Sequence, residues 1–421
     1  MERLSFAIDA ARKKEYDLVV CGGGIAGCAA ALEGARLGLK TLLVEKTCLL
    51  GGLATIGLVN YFVPMDNRRG RQICRGMAEE FLRLSIRYGY DTLPEVWREG
   101  EPEKPTSVPY HTGYDPNLFA MLLCSLLDEA GVDILFDVTA AHPVMDGGRI
   151  TGIVTDSAEG FSFYPARQVI DATGDASVAA KAGMPTADGK NYFSYFPREI
   201  TLDSCRDAVS SGRIDRAIRT VSGGSANLYG GGHPDDVPFF FGAGDGTRSD
   251  YFVRNQKIVS ERFASGGDRF SHMLVMAPMT AQFRTIRRME GDAVLHEEDA
   301  YRHFSDALCT VNDFDHADFL YEVPRSAMTR RGFDNLTVCG RAVSADGFAW
   351  DIVRVIPPAI LTGQSAAVCA AQAIAEDVPV AEADIKKIQS KLESEDVMVS
   401  FDDSLVPETW DPAVRRHVDK R

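Results

Sequence analysis

The chain has no CxxC pair, and its nine cysteines are an odd number spread over 421 residues. Neither a disulfide framework nor a dithiol relay is therefore expected. It also has no excess of positive charge: 60 acidic residues face 45 basic ones, a formal charge of −15 at pH 7. Nucleic acid and anionic membrane are bound through basic patches, so neither is an expected partner. Met1 to Tyr16 is charged and lacks an apolar core, so no secretory signal is read there, and a reducing cytoplasm is the expected location. Long uncharged runs are scarce. Residues 355–375 are long enough to span a bilayer. Their Pro357, Pro358, Gly363, Gln364, Ser365 and Gln372 argue for a buried helix of a soluble protein instead. No cluster of His, Cys, Asp or Glu has metal-ligand spacing, and no metal is expected. Internal repeats and low-complexity tracts are also missing.

What is present reads as an α/β chain of two domains. Asp17 to Cys21 is a short apolar strand, Gly22-Gly23-Gly24 a turn, and the stretch up to Gly38 a helix. Lys40 to Glu45 is a second strand, so 17–45 has βαβ proportions and predicts a parallel sheet. Residues 91–117, rich in Pro, Glu and Gly, read as surface loop, and 117–130 as an amphipathic helix ending before Gly131. A β-meander then returns to a core strand ending at Asp171. From about 190 to 320 aromatics, glycines and charges mix without regular periodicity. The expected division is therefore a discontinuous nucleotide-binding domain over 1–190 and 321–380, an inserted mixed α+β substrate domain over 191–320, and a helix and tail over 381–421.

Gly22-x-Gly24-x-x-Gly27 has the spacing of a dinucleotide-binding turn, with a strand before it and a helix after it. Gly22 permits the tight turn, Gly24 lets backbone approach a pyrophosphate, and Gly27 allows close helix–strand packing. The helix start supplies amide donors for phosphates, and Glu45, ending the next strand, can accept from ribose hydroxyls. Gly51-Gly52 follows soon after, as if backbone passed beside a long ligand. Asp171-Ala172-Thr173-Gly174-Asp175 closes a later strand. Cys339-Gly340-Arg341 leads to Asp346, and then to Val353-Arg354-Val355-Ile356-Pro357-Pro358 and Thr362-Gly363-Gln364.

These segments, with QFRTIRRMEGD at 282–292 and YEVPRSAMTRRGFDNLTVCGRAVSAD at 321–346, resemble the bacterial FAD-dependent oxidoreductases of the glutathione-reductase-like superfamily. The resemblance covers most of 16–376. It implies a three-layer FAD-binding Rossmann-like domain with an inserted substrate domain, and FAD as cofactor. It implies that Gly22, Gly24, Ile25, Ala26 and Gly27 face the pyrophosphate, and that Glu45 and Lys46 lie at the adenosine ribose. Gly51, Gly52, Leu53, Ala54 and Thr55 would run beside phosphates and flavin. Val138, on the strand after the 117–130 helix, would meet adenine through its backbone. Ala172, Thr173, Gly174 and Asp175 would line the adenosine side. Gly340 and Asp346 would approach the ribityl or phosphate region. Pro358 and a helix starting near Thr362-Gly363-Gln364 would aim at the flavin ring.

The chain departs from that family where Gly347-Phe348-Ala349-Trp350-Asp351 stands in place of a His-Glu segment, which removes the chemistry that loop would carry. Gly242-Ala-Gly244-Asp-Gly246 reads as a loop without a following periodic helix, so no second dinucleotide unit is expected. Arg284, Arg287 and Arg288 recur at helical spacing and would form one cationic face, either toward the flavin or in salt bridges with nearby acids. Arg287, Arg288 and His316 are the candidate catalytic residues. His272 is a second candidate histidine, and Cys48 should sit near the flavin as a packed residue. The expected activity is hydride transfer between FAD and a small organic substrate, with an electron donor or acceptor of unknown identity. The alternative is an isomerase or hydratase that keeps FAD without net redox.

Overall fold

The computed structural model describes residues 7–316 and 318–408, so the tail beyond 408 lies outside the described residues. Asp133–Leu135, Thr41–Val44, Tyr16–Cys21 and the second half of Gly160–Asp171 lie side by side in that order, all parallel. Leu336–Val338 flanks Gly160–Asp171 on its other edge. Along Tyr16–Cys21 the side chains bury on both faces, as a covered parallel strand requires. Leu18 and Val20 join one core; Val19 and Cys21 join the other.

That alternation sorts the layers. The first face carries the helices Ile25–Arg36, Pro116–Glu129 and Ile356–Glu376. The second carries the meander Thr139–Asp146, Arg149–Ser157 and the first half of Gly160–Asp171, through Ile150 and Ile153. The result is the three-layer α/β architecture that the sequence predicts. Asp115 caps the Pro116–Glu129 helix by accepting from Asn117 and Leu118, and Pro116 occupies its first turn.

Ile356–Glu376 is one helix long and apolar enough to cross a membrane, and 78% of its most apolar window is buried inside the protein. It packs on Ile25–Arg36 so closely that a Cβ at Gly363 would strike the Ala26 carbonyl. It starts at Ile356, one turn and more before the expected Thr362. The two prolines suit a first turn, where their missing amides have no helical partner, and Thr362 to Gln364 therefore lie in its body.

Four further expectations change. Residues 91–117 bury Trp97, Tyr110 and Tyr114, and Trp97 stacks on Tyr110 at 4.7 Å, because the loop folds its aromatics under itself. Val138 falls between strands rather than on one, and its amide donates to the Glu45 carbonyl at 3.2 Å. Gly244 caps a 21-residue helix, Asp245–Ser265. Its buried residues are only Tyr251, Asn255 and Val259, a stripe too narrow to register as apolar periodicity. Finally, Arg287–Met289 is a strand paired antiparallel with Thr186–Asp188. Successive strand side chains point to opposite faces, so Arg287 and Arg288 do not share one cationic face.

The inserted segment has its own core of Phe193, Tyr195, Phe240, Tyr251 and Phe283. Residues from Leu295 onward, including the Ala307–Asn312 strand, pack into the main core instead. That strand and its partner Leu320–Pro324 are buried at every position, which ties them to the larger domain well before residue 320.

Candidate functional site

The carboxyl ends of the parallel strands converge at the glycine turn. Gly22 has φ +103°, and a Cβ there would lie 2.6 Å from the Ala172 carbonyl oxygen, so the turn requires glycine. A Cβ at Gly27 would strike the Gly22 carbonyl, which sets the closeness of strand and helix. Gly24 differs. It has an ordinary φ of −64°, and a Cβ there would meet nothing nearer than the Ala172 oxygen at 4.0 Å. The fold does not need glycine at 24; the open space beside it does.

Around that space several segments close in. Gly51 donates its amide to the Gly23 carbonyl at 2.8 Å, and a Cβ at Gly52 would touch the Gly24 Cα at 3.0 Å. The Gly340 amide donates to the Thr362 hydroxyl at 3.0 Å, and Gly340 faces the Ala26 methyl. Glu45 is buried and accepts the Gly23 amide at 2.7 Å and the Thr47 amide at 2.8 Å. Ala54 is buried, and its carbonyl accepts from the Tyr114 hydroxyl at 2.9 Å. Thr173 donates amide and hydroxyl to Asp171, whose carboxyl is raised by burial against these donors.

Cations gather beside Gly174 and Asp175. Burial alone would raise the Asp175 carboxyl, but the Ser177 hydroxyl and the Arg248 guanidinium outweigh it and hold it down to about 2. Arg248 belongs to the inserted segment, so this ion pair bridges the insert to the sheet; its Nε is buried without a hydrogen-bond partner. Arg287 donates to the Asp175 carbonyl at 2.8 Å. Arg341 donates to the Gly174 carbonyl at 2.8 Å and the Phe283 carbonyl at 2.6 Å, and burial pulls its guanidinium down to about 10 despite Asp175.

A family model described as FAD dependent oxidoreductase matches residues 17–220 and 266–392. The chain belongs to this family, and FAD is its cofactor. Digeranylgeranylglycerophospholipid reductase 2 of Methanothermobacter thermautotrophicus is 29% identical over 185 residues, 41% of this chain and 43% of that protein. Protein FixC of Azorhizobium caulinodans is 30% identical over 157 residues, 35% of this chain and 34% of its own length. The chain thus spans less than half the length of these curated relatives. Among solved structures, a geranylgeranyl bacteriochlorophyll reductase-like protein from Thermoplasma acidophilum is similar at 14% identity and a TM-score of 0.44, over 92% of this chain and 83% of that one.

The residues present fit an FAD-dependent oxidoreductase. The space at Gly24, the backbone of Gly51 and Gly52, a buried carboxylate and the Arg341 guanidinium, which is held by carbonyls, match what an adenine dinucleotide presents. Gly22, Gly24, Ile25, Ala26, Gly27, Gly51, Gly52, Ala172, Gly340, Thr362 and Gly363 lie together around the turn. The other side chains make contacts of their own. The Gln364 side chain accepts the Met77 amide at 3.3 Å and donates to Glu395 at 3.0 Å. Lys46 is exposed, and Cys48 is exposed rather than packed. The Thr55 hydroxyl donates to the Leu50 carbonyl at 2.5 Å, and Asp346 pairs with His296 at 2.8 Å.

His316 lies in the turn after the Ala307–Asn312 strand, its amide donated to Asp313. His272 begins a strand of the insert's three-stranded sheet and packs on Phe263. Neither stands on the elements that meet at the glycine turn. Arg248 and Arg341 escape a sequence reading because their neighbours come from distant segments; for Arg341 the available signal is its place directly after Gly340.

Proposed function

We propose that this oxidoreductase moves a hydride between FAD and a small organic substrate. The observation that carries the reading is the open approach at Gly24 inside a turn whose other glycines are demanded by the fold itself. Glu45 would hold the adenosine ribose while keeping the turn in place, and the Val138 carbonyl would face adenine. Backbone at Gly24, Gly51 and Gly52 would lie along the phosphates. Arg341 would offset their charge beside the junction with the insert. Bound FAD supplies hydride acceptance and donation; the chain's part is to position it and exclude water.

In this reading the inserted segment is a substrate domain, and the protein works in the cytoplasm without nucleic acid or membrane as partners. The net charge of −15 and the burial of the Ile356–Glu376 helix support that placement. The test is direct. Purified protein should be yellow, with the usual flavin band near ~450 nm, and substrate should bleach it anaerobically until an acceptor restores the colour. A colourless preparation that takes up NAD in place of FAD would overturn the reading. Turnover without any bleaching would point to the non-redox use of FAD.

A further inference from the structure

A cavity of about 1100 Å³ opens between the inserted segment and the Gly347–Val353 helix, away from the glycine turn. That volume is at the upper end for small-molecule sites. We propose that it binds a flat carboxylate, an aromatic or conjugated acid, as the substrate; calling the ligand the substrate rests on the oxidoreductase reading.

Two aromatic walls define its shape. Tyr192 and Phe239 stand edge to face at 5.8 Å. Tyr229 and Phe348 lie parallel at 6.4 Å, and the buried Trp350 also lines the cavity. Such faces take a planar apolar body by stacking.

Two cations of the lining lie against aromatic rings. Arg288 lies over the Trp350 ring at 5.8 Å, and Lys190 sits 3.8 Å from the centre of the Phe239 ring. Behind Tyr192, Arg284 donates to the Asn227 carbonyl at 3.1 Å, and burial pulls its guanidinium down to about 10. Among the described residues no carboxylate oxygen lies within 4.0 Å of Arg284, Arg288 or Lys190. Four acids also line the cavity, and two of them are paired. Asp351 is held by Arg354 at 2.7 Å, and Asp346 pairs with His296 at 2.8 Å. Asp188 and Asp235 are exposed, as is Lys190, which leaves the half-buried Arg288 as the innermost cation of the lining. A guanidinium that lacks a carboxylate partner, beside stacking surfaces, recognises a planar acid bidentately.

The experiment titrates FAD-loaded protein with trans-cinnamate and with its uncharged amide by isothermal calorimetry. Cinnamate should bind saturably and at least about tenfold more tightly than the amide, the value of a charge-assisted hydrogen bond. Arg288→Gln should weaken cinnamate by about tenfold or more, and Arg288→Lys by less. If Arg288→Gln does not fold, Lys190→Gln at its exposed position is the deciding variant, and it too should weaken binding. Equal affinity for acid and amide overturns the proposal, as does wild-type affinity in a folded, FAD-replete Arg288→Gln. Yellow protein that ignores cinnamate defeats this proposal alone; colourless protein defeats the oxidoreductase reading.

Discussion

The Glu45 carboxylate accepts the Gly23 amide at 2.7 Å, so the acid ending one strand fastens the turn that ends its neighbour. Its second oxygen accepts from Thr47 at 2.8 Å. One side chain thus orders the two loops between which an adenosine would lie, and its position depends on the parallel pairing of Cys21 with Val44.

Replacing Glu45 with Gln keeps one acceptor and loses the other together with the charge. FAD affinity should fall by about tenfold, near the 1–2 kcal/mol of a charge-assisted hydrogen bond, with a modest drop in melting temperature. Fluorescence titration of apoprotein with FAD measures it. Unaltered affinity would remove Glu45 from the ribose.

The glycines of the turn should separate by phenotype. Gly24→Val places its side chain in space the fold leaves open, so the protein should fold yet hold no FAD, and it should lose the stabilisation that a bound ligand confers. Gly27→Val strikes the Gly22 carbonyl and should not fold. Circular dichroism together with absorbance of the purified variants reads both. A yellow Gly24→Val would mean that the space serves something else.

Arg341→Ala removes the donor to the Gly174 and Phe283 carbonyls and a cation that would lie near the phosphates. FAD should bind about 10- to 100-fold more weakly, and Arg341→Lys should recover only part of that, since it keeps the charge without the planar fork. Equilibrium dialysis of the three proteins decides. Equal dissociation constants would make Arg341 purely a structural brace.

Burial, reinforced by the neighbouring Glu395, pushes the Glu33 carboxyl from 4.5 up to about 8. The folded chain keeps this proton over a range where the unfolded chain has already lost it. Glu33 therefore withdraws stability progressively as pH rises from 4.5 to about 8, and has no such effect below that range. Glu33→Gln should melt higher than the parent protein, by a margin that widens steadily from pH 5 to pH 8. A constant margin would show that Glu33 is ionised in the folded state.

Local signals were the legible ones. The glycine spacing, the apolar strands and Glu45 lie within one βαβ unit, where periodicity and spacing act over a few residues. The arginine segment misled because 282–292 has helical spacing in its charges, while pairing with Thr186–Asp188 imposes a strand. The Asp245–Ser265 helix was invisible for the opposite reason: three buried residues suffice to dock it. Arg248 meets Asp175 only through tertiary structure, and no local pattern announces such a pair. Cys48 follows an acid and precedes two glycines, yet it ends on the surface because the loop there turns outward.

Leu336–Val338 pairs in register with Val169–Asp171, though most of the chain's middle lies between them. Until synthesis has passed Gly340 and the Ile356–Glu376 helix, the central strand keeps an open edge and the glycine turn lacks its cover. The emerging polypeptide must then shield a growing apolar sheet through a slow, long-range closure. Cofactor capture is consequently a late event in biogenesis, and a ribosome-arrested chain ending before residue 336 should remain unable to retain FAD.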